Sequence, residues 1–280
     1  MSCESLKTAP VLPAKTLADY CYNMMFDGCT SLNSVTCLAT DISADGCTNG
    51  WLTNVAAEGA FVRAAGMVTD WSIDDSGIPE GWLNGYRVTI PSSGVGTFSA
   101  AENVTIPEGL TASYCTTYNS IASTITVTKI SGDAIPAATG VLIKGTAGES
   151  YTLYETTDEA ATVTGNALVA VTVPTHIAAT DGDYTNFMLK SGEFIKIAQD
   201  DASVKMPANK AYLQIATSAI SGSQAISLVW DEGTTGISNV NPNPNVNIQY
   251  FTLDGRRVEH PAHGIYIEHS EKGIKKLFIK

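Results

Sequence analysis

The chain has 280 residues and a formal net charge of −12, from 16 Lys and Arg against 28 Asp and Glu. That balance excludes a nucleic-acid-binding surface, which needs a basic stripe to displace counterions from phosphate. Scarce Lys, Arg and Glu beside abundant Thr, Ser, Val, Ile, Ala and Gly exclude a helical bundle, and no run is long and apolar enough to span a bilayer.

The first elements in chain order are repeated coils. SCESL at Ser2–Leu6 is echoed by GCTSL at Gly28–Leu32. Shifting the sequence by 26 residues places Cys3 on Cys29, Ser5 on Ser31, Leu6 on Leu32, Leu12 on Leu38, Cys21 on Cys47 and Met25 on Trp51. A fixed period of this size is the signature of a solenoid. Within one period Leu17, Cys21, Met25 and Cys29 recur every fourth residue, which predicts one face of a short helix. Leu32–Cys37 alternates instead and predicts a strand. The same alternation points Thr8, Pro10, Ser34 and Thr36 outward and Ala9, Val11, Val35 and Cys37 inward. The cysteines are then small, soft core residues repeated in register, free and unreactive. Trp51, Trp71 and Trp82 fall in the last coil and its cap, where large rings cover the open end of a solenoid. The alternative use of these three rings is a stacking platform for sugars.

From Tyr86 to about Glu232 the text changes to short alternating runs between turn residues, among them YRVTIP, STITVTKI, GVLIKG, SYTLY, EFIKIA, KAYLQIA and AISLVW. Such spacing predicts an all-β sandwich or barrel. IPAATGVL at Ile135–Leu142 matches MPANKAYL at Met206–Leu213, 71 residues on. Two related halves of a sandwich are the preferred account of that match, with convergent loop chemistry as the rival. TTGISNVNPNPNVN is a linker without apolar periodicity. IQYFTLDGRRV, GIYIEH and IKKLFIK close the chain as a small β-meander with an Asp254-Gly255 turn.

Two stretches resemble known families. TAPVLPAKTLADYCYNMMFDGCTSL, with Leu12-Pro13, Cys21-Tyr22, Met25-Phe26 and Gly28–Leu32, resembles one repeat of the BspA-like leucine-rich repeats of Bacteroidetes surface proteins. CLATDISADGCTNGWLTNVAAEGAFVRAAGM and GIPEGW resemble the closing coil and cap of such arrays. The last 35 or so residues resemble the carboxy-terminal sorting domains of Bacteroidetes secreted proteins. The expected fold is therefore mainly β with a small α/β solenoid: a truncated leucine-rich-repeat solenoid with cap over residues 1–84, a β-sandwich over 85–234, and a linker with sorting-like meander over 235–280. The resemblance implies an extracellular or cell-surface protein that binds a host or bacterial surface protein without catalysis. A glycan-binding module and a stalk presenting upstream repeats are the alternatives. Because the chain opens inside a repeat unit, and MSCESLKTAPVL lacks the features of a leader peptide, a longer array with its leader upstream is expected.

Catalytic and metal signals are weak. His260-Pro261-Ala262-His263 has ligand spacing, but Pro261 and Gly264 predict a turn and not the helix that would set both imidazoles on one face. Asp181-Gly182-Asp183, Asp200-Asp201 and Asp74-Asp75 fit turn chemistry better than a calcium loop or a glycosidase carboxylate pair. GxSxG and HExxH are missing from the sequence. Neither a cofactor nor a metal is expected.

Overall fold

The computed structural model describes residues 3–67, 71–74, 76–198, 205–220, 222–231, 249–252, 256–258, 264–270 and 273–279. It forms two compact units, Met1–Glu232 and Gly233–Lys280. The Asp200-Asp201, His260–His263 and Asp254-Gly255 motifs and the linker lie outside the described residues.

The larger unit begins with stacked coils. Their inner strands are β1 (Ser34–Cys37), β2 (Ala60–Ala64) and β3 (Leu83–Thr89), paired in parallel. A preceding coil is joined to β1 by bridges Thr8↔Ser34 and Leu12↔Cys37. The first bridge is offset by 26 residues and the second by 25. The extra residue makes a bulge that turns Val11 outward, 53% exposed, and seats Leu12 in the core. The inward orientation expected of Val11 is thereby corrected, while Ala9, Val35 and Cys37 are buried.

The return side of each coil is not a helix. The N–H groups of Cys21, Met25 and Cys29 bond the carbonyls of Ala18, Tyr22 and Phe26, three residues back. Tyr20, Met24 and Gly28 have φ of 54°, 51° and 73°, and Gly46, Gly50 and Asn54 repeat this at 55°, 62° and 56°. These are tandem β-turns with a left-handed third residue, the type II pattern. The intervening N–H groups of Tyr22, Met24, Phe26 and Gly28 donate to Cys47, Asn49, Trp51 and Thr53 of the next coil at 2.8–3.0 Å. Turns thus satisfy half of the backbone within a coil and half between coils, where a helix would satisfy all of it internally. The described residues contain no α-helix, so the expected α/β solenoid of leucine-rich repeats gives way to an all-β stack.

The coil core is filled by rings. Trp51 stacks between Tyr22 and Trp71 at centroid distances of 6.2 and 5.3 Å, and Phe61 meets Trp51 and Trp71 edge-on.

β3 then pairs on its other edge, antiparallel, with β10 (Ser150–Tyr154), so the boundary expected after residue 84 falls inside a shared strand. The remaining strands of the unit are β4 (Val95–Phe98), β5 (Val104–Thr105), β6 (Thr111–Asn119), β7 (Thr124–Lys129), β8 (Ala134–Ile135), β9 (Val141–Lys144), β11 (Leu168–Val171), β12 (Thr175–His176), β13 (Thr180–Asp181), β14 (Tyr184–Lys190), β15 (Glu193–Lys196), β16 (Lys205–Met206), β17 (Lys210–Ala216) and β18 (Ala225–Trp230). The main sheet has the order β11-β17-β14-β15-β18-β7-β6-β9-β4. It curls into a nearly closed barrel, where two separate packed sheets were expected. The seam is closed by the fully buried Ser99: its hydroxyl donates to Lys210 O (2.7 Å) and accepts from Val171 N (3.2 Å), and its carbonyl accepts from Asn209 Nδ2 (3.0 Å).

The barrel is internally duplicated. Thr97↔Leu142 in the first half corresponds to Leu168↔Leu213 in the second, and Val104↔Ile135 to Thr175↔Met206, each 71 residues on. Gly94 and Gly165, and Ala138 and Asn209, are left-handed at the same offset. Related halves therefore account for the sequence match. β18 joins the halves, antiparallel to β15 and parallel to β7.

The smaller unit is an antiparallel sheet of β19 (Gln249–Phe251), β20 (Arg257–Val258), β21 (Gly264–Ser270) and β22 (Gly273–Ile279), in the order β20-β19-β21-β22.

Ser99→Ala leaves a buried N–H and a buried carbonyl short of a partner at the seam. It is expected to lower unfolding free energy by about 1–3 kcal/mol, read as a reduced urea midpoint at unchanged slope.

Candidate functional site

The outer face of the coil sheet carries the residues expected there. Thr8, Ser34, Ala60 and Leu83 form one row across the parallel strands, and Thr36, Val62, Gly85 and Tyr154 form another. Thr8 and Pro10 are exposed; Ser34 and Thr36 are half-buried. Parallel register brings Thr8, Ser34 and Thr36 onto one face, while Val62 and Gly85 of the second row are buried. The Tyr154 ring lies against Gly85, where an added Cβ would come within 2.8 Å of it.

At the far end of these strands the face enters a groove of about 350 Å³, where the coil sheet meets the barrel. Lys15, Arg87 and Lys210 line it. Lys210, with Pro91, Gly96 and Thr97, also borders a concavity of about 580 Å³ that contains His176, Lys205, Met188 and Met206. The two hollows therefore adjoin. Among the described residues neither is lined by Asp or Glu. Burial lowers the pKa of the Lys210 ammonium. Sequence reading missed this groove, because its three cations come from a coil loop, β3 and β17, with no common spacing.

The three tryptophans proposed as a sugar platform are buried: Trp51 at 0%, Trp71 at 6% and Trp82 at 7% exposure. The indole N–H groups of Trp51 and Trp82 are committed to Gly77 O and Ala56 O, both at 2.8 Å. Their apolar area is spent on the coil core, so no stacking face is offered there.

The six cysteines are free thiols; Cys29, Cys37, Cys47 and Cys115 are buried as expected, whereas Cys3 and Cys21 are exposed, which corrects their expected place in the core. Cys21 Sγ lies 3.9 Å from Cys47 O in the next coil, as matched repeat positions require. Burial pushes the Cys37 thiol up to about 11 and the Cys115 thiol to about 12. Thiols so held are poor nucleophiles near neutral pH.

Under the coil–barrel junction, sequence reading also missed a polar cluster. The Arg63 guanidinium lies 4.4 Å from the Tyr86 ring centroid, donates to the Tyr86 hydroxyl and approaches Glu155 Oε1 at 4.0 Å. The Tyr86 hydroxyl in turn donates toward Glu102 (3.2 Å) and Glu155 (3.4 Å). Burial, then the nearby Glu102 charge, raises the Glu155 pKa; burial likewise raises that of Tyr86. Two carboxylates thus converge on the Tyr86 hydroxyl, and Glu102, Arg63 and Tyr86 line an adjoining hollow of about 110 Å³. That is well below the roughly 300 Å³ at which small-molecule sites begin. The cluster has the build of a brace between β2, β3 and β10. Asp74, in the cap, accepts from Ser72 Oγ and Ser76 N at 3.0 and 2.8 Å, which is turn chemistry. Gly182, with φ of 53°, sits in the tight β13–β14 hairpin.

Neither a family model nor a curated protein nor a solved structure matches the chain. Among the described residues, no helix is long and apolar enough to cross a membrane.

Two outcomes are expected. At about pH 7.5 a thiol reagent labels the exposed Cys3 and Cys21 rapidly, and Cys29, Cys37, Cys47 and Cys115 only on unfolding, as mass spectrometry reads. Because the folded pKa of Glu155 lies above its unfolded value, its contribution to stability is present at acid pH and lost as pH rises through the raised value. The stability of wild type relative to Glu155→Gln should therefore decline as pH rises above the ordinary carboxylate range in urea titrations.

Proposed function

We propose that the protein is a non-catalytic binding protein of the cell surface or the extracellular space. Its outer coil face engages an extended segment of a host or bacterial surface protein. The observation that carries this reading is the outward set of small side chains, Thr8, Ser34 and Thr36, on strands whose far end lies at a groove. Such a surface suits shallow, extended contact, and stacked coils repeat it at a fixed step. The BspA-like marks in the first coils and the sorting-like carboxy-terminal segment support a surface location. The buried cysteines and the filled Arg63–Tyr86 junction support the absence of catalysis by these groups.

The test is saturation binding to a panel of purified extracellular-matrix and bacterial surface proteins. At least one is expected to bind, and Ser34→Arg with Thr36→Arg is expected to weaken it about tenfold or more by placing bulk and charge on the face. No binding across the panel, or binding indifferent to the double variant, would overturn the proposal.

A further inference from the structure

In a chain of net charge −12, two adjoining hollows carry Lys15, Arg87, Lys205 and Lys210, and among the described residues no carboxylate. Charge segregated this way in a concave, partly desolvated place concentrates positive potential against the field of the whole molecule. A purely structural use of these cations would pair them. The Arg63 cluster does this at the same junction, with Glu155 at 4.0 Å. Lys210 is the most informative of the four. It stands in the rim shared by both hollows, and removing an ammonium from water has a cost that an anion placed beside it would recover.

The walls narrow the class of anion. Val95, Met188, Leu189, Met206 and Ala211 give the larger hollow an apolar lining, and among the described residues no Phe, Tyr or Trp lines either hollow. A sugar would want a ring to stack on; flexible methionines instead accommodate aliphatic side chains of varied shape. The volume of about 580 Å³ is enough for a few such side chains.

We infer that this double hollow is the anchoring subsite for an acidic peptide segment, with carboxylates held at Lys15, Arg87 and Lys210 and an aliphatic side chain inserted between Met188 and Met206. The inference rests on the binding reading above and gives it a ligand chemistry. The strands of the outer face lead into the groove, so an extended segment lying on that face delivers its end to the cations. Acid residues elsewhere on the protein repel the same peptide and so help to fix where it binds.

The full chain is titrated with a labelled hexapeptide alternating leucine and aspartate, by fluorescence anisotropy in low and moderate salt. Binding is expected to weaken with salt and by about tenfold in Arg87→Gln with Lys210→Met. Lys129→Gln, which removes one unit of charge outside both hollows, should leave it unchanged. Should Lys210→Met disturb folding, Arg87→Gln with Lys205→Gln carries the same expectation. Equal binding of a leucine–serine hexapeptide, or binding unmoved by both double variants, overturns the inference. So does failure of the acidic peptide beside tight binding of a sulfated polysaccharide. If matrix proteins bind through Ser34 and Thr36 while the acidic peptide does not, only the anchoring chemistry fails. If neither binds, both readings fail.

Discussion

Everything in the larger unit depends on β3 having two different edges. Toward β2 it continues the parallel ladder of the coils; toward β10 it is an antiparallel strand of the barrel half. A strand can serve both only if its side chains satisfy two cores at once. Tyr86 links the two sides: buried in the barrel-side core with Val88 and Phe98, it is held by Arg63 from β2 and Glu155 beyond β10. With β3 fixed, the coil face and the barrel wall meet at one angle, and the groove between them exists.

Coils and barrel solve the edge problem differently. The coils leave a ladder running along the stack, satisfied by the next coil through alternate N–H groups. The barrel wraps its sheet until β4 returns to β17, and a serine, not a further strand pair, completes the join. The duplicated halves also diverge where the architecture needs them to. After β9, the first half sends β10 to the coil sheet; after β17, the second sends β18 into the gap between β15 and β7.

The period was legible because stacking repeats hydrophobic burial at a fixed step: Cys29, Leu32, Cys47 and Trp51 are all core, although Cys3, Cys21 and Met25, matched to Cys29, Cys47 and Trp51, are exposed. The helix was misread because a four-residue apolar period belongs equally to an α-helix and to a run of type II turns. The distinguishing signal was present in GCTNGWLTN, where Gly46, Gly50 and Asn54 take the left-handed position every fourth residue. No local pattern announces Val11, because a bulge depends on the partner's register. Neither the groove cations nor the Arg63–Tyr86–Glu155 cluster has a sequence signature, since each is assembled across strands far apart in the chain. The outer-face residues were readable from simple alternation; the groove they lead to was not.

The separation of paired segments sets an order of assembly. Coil neighbours such as Val35 and Phe61 lie one period apart, whereas β18 reaches β7 only after about a hundred intervening residues, and the Ser99–Lys210 seam spans 111. During synthesis the coils and the first half can therefore settle while β7 still waits with an open side. Its alternation of Thr with buried Ile125 and Val127, ending in Lys129, makes that side a poor template for strangers until its own late partner arrives.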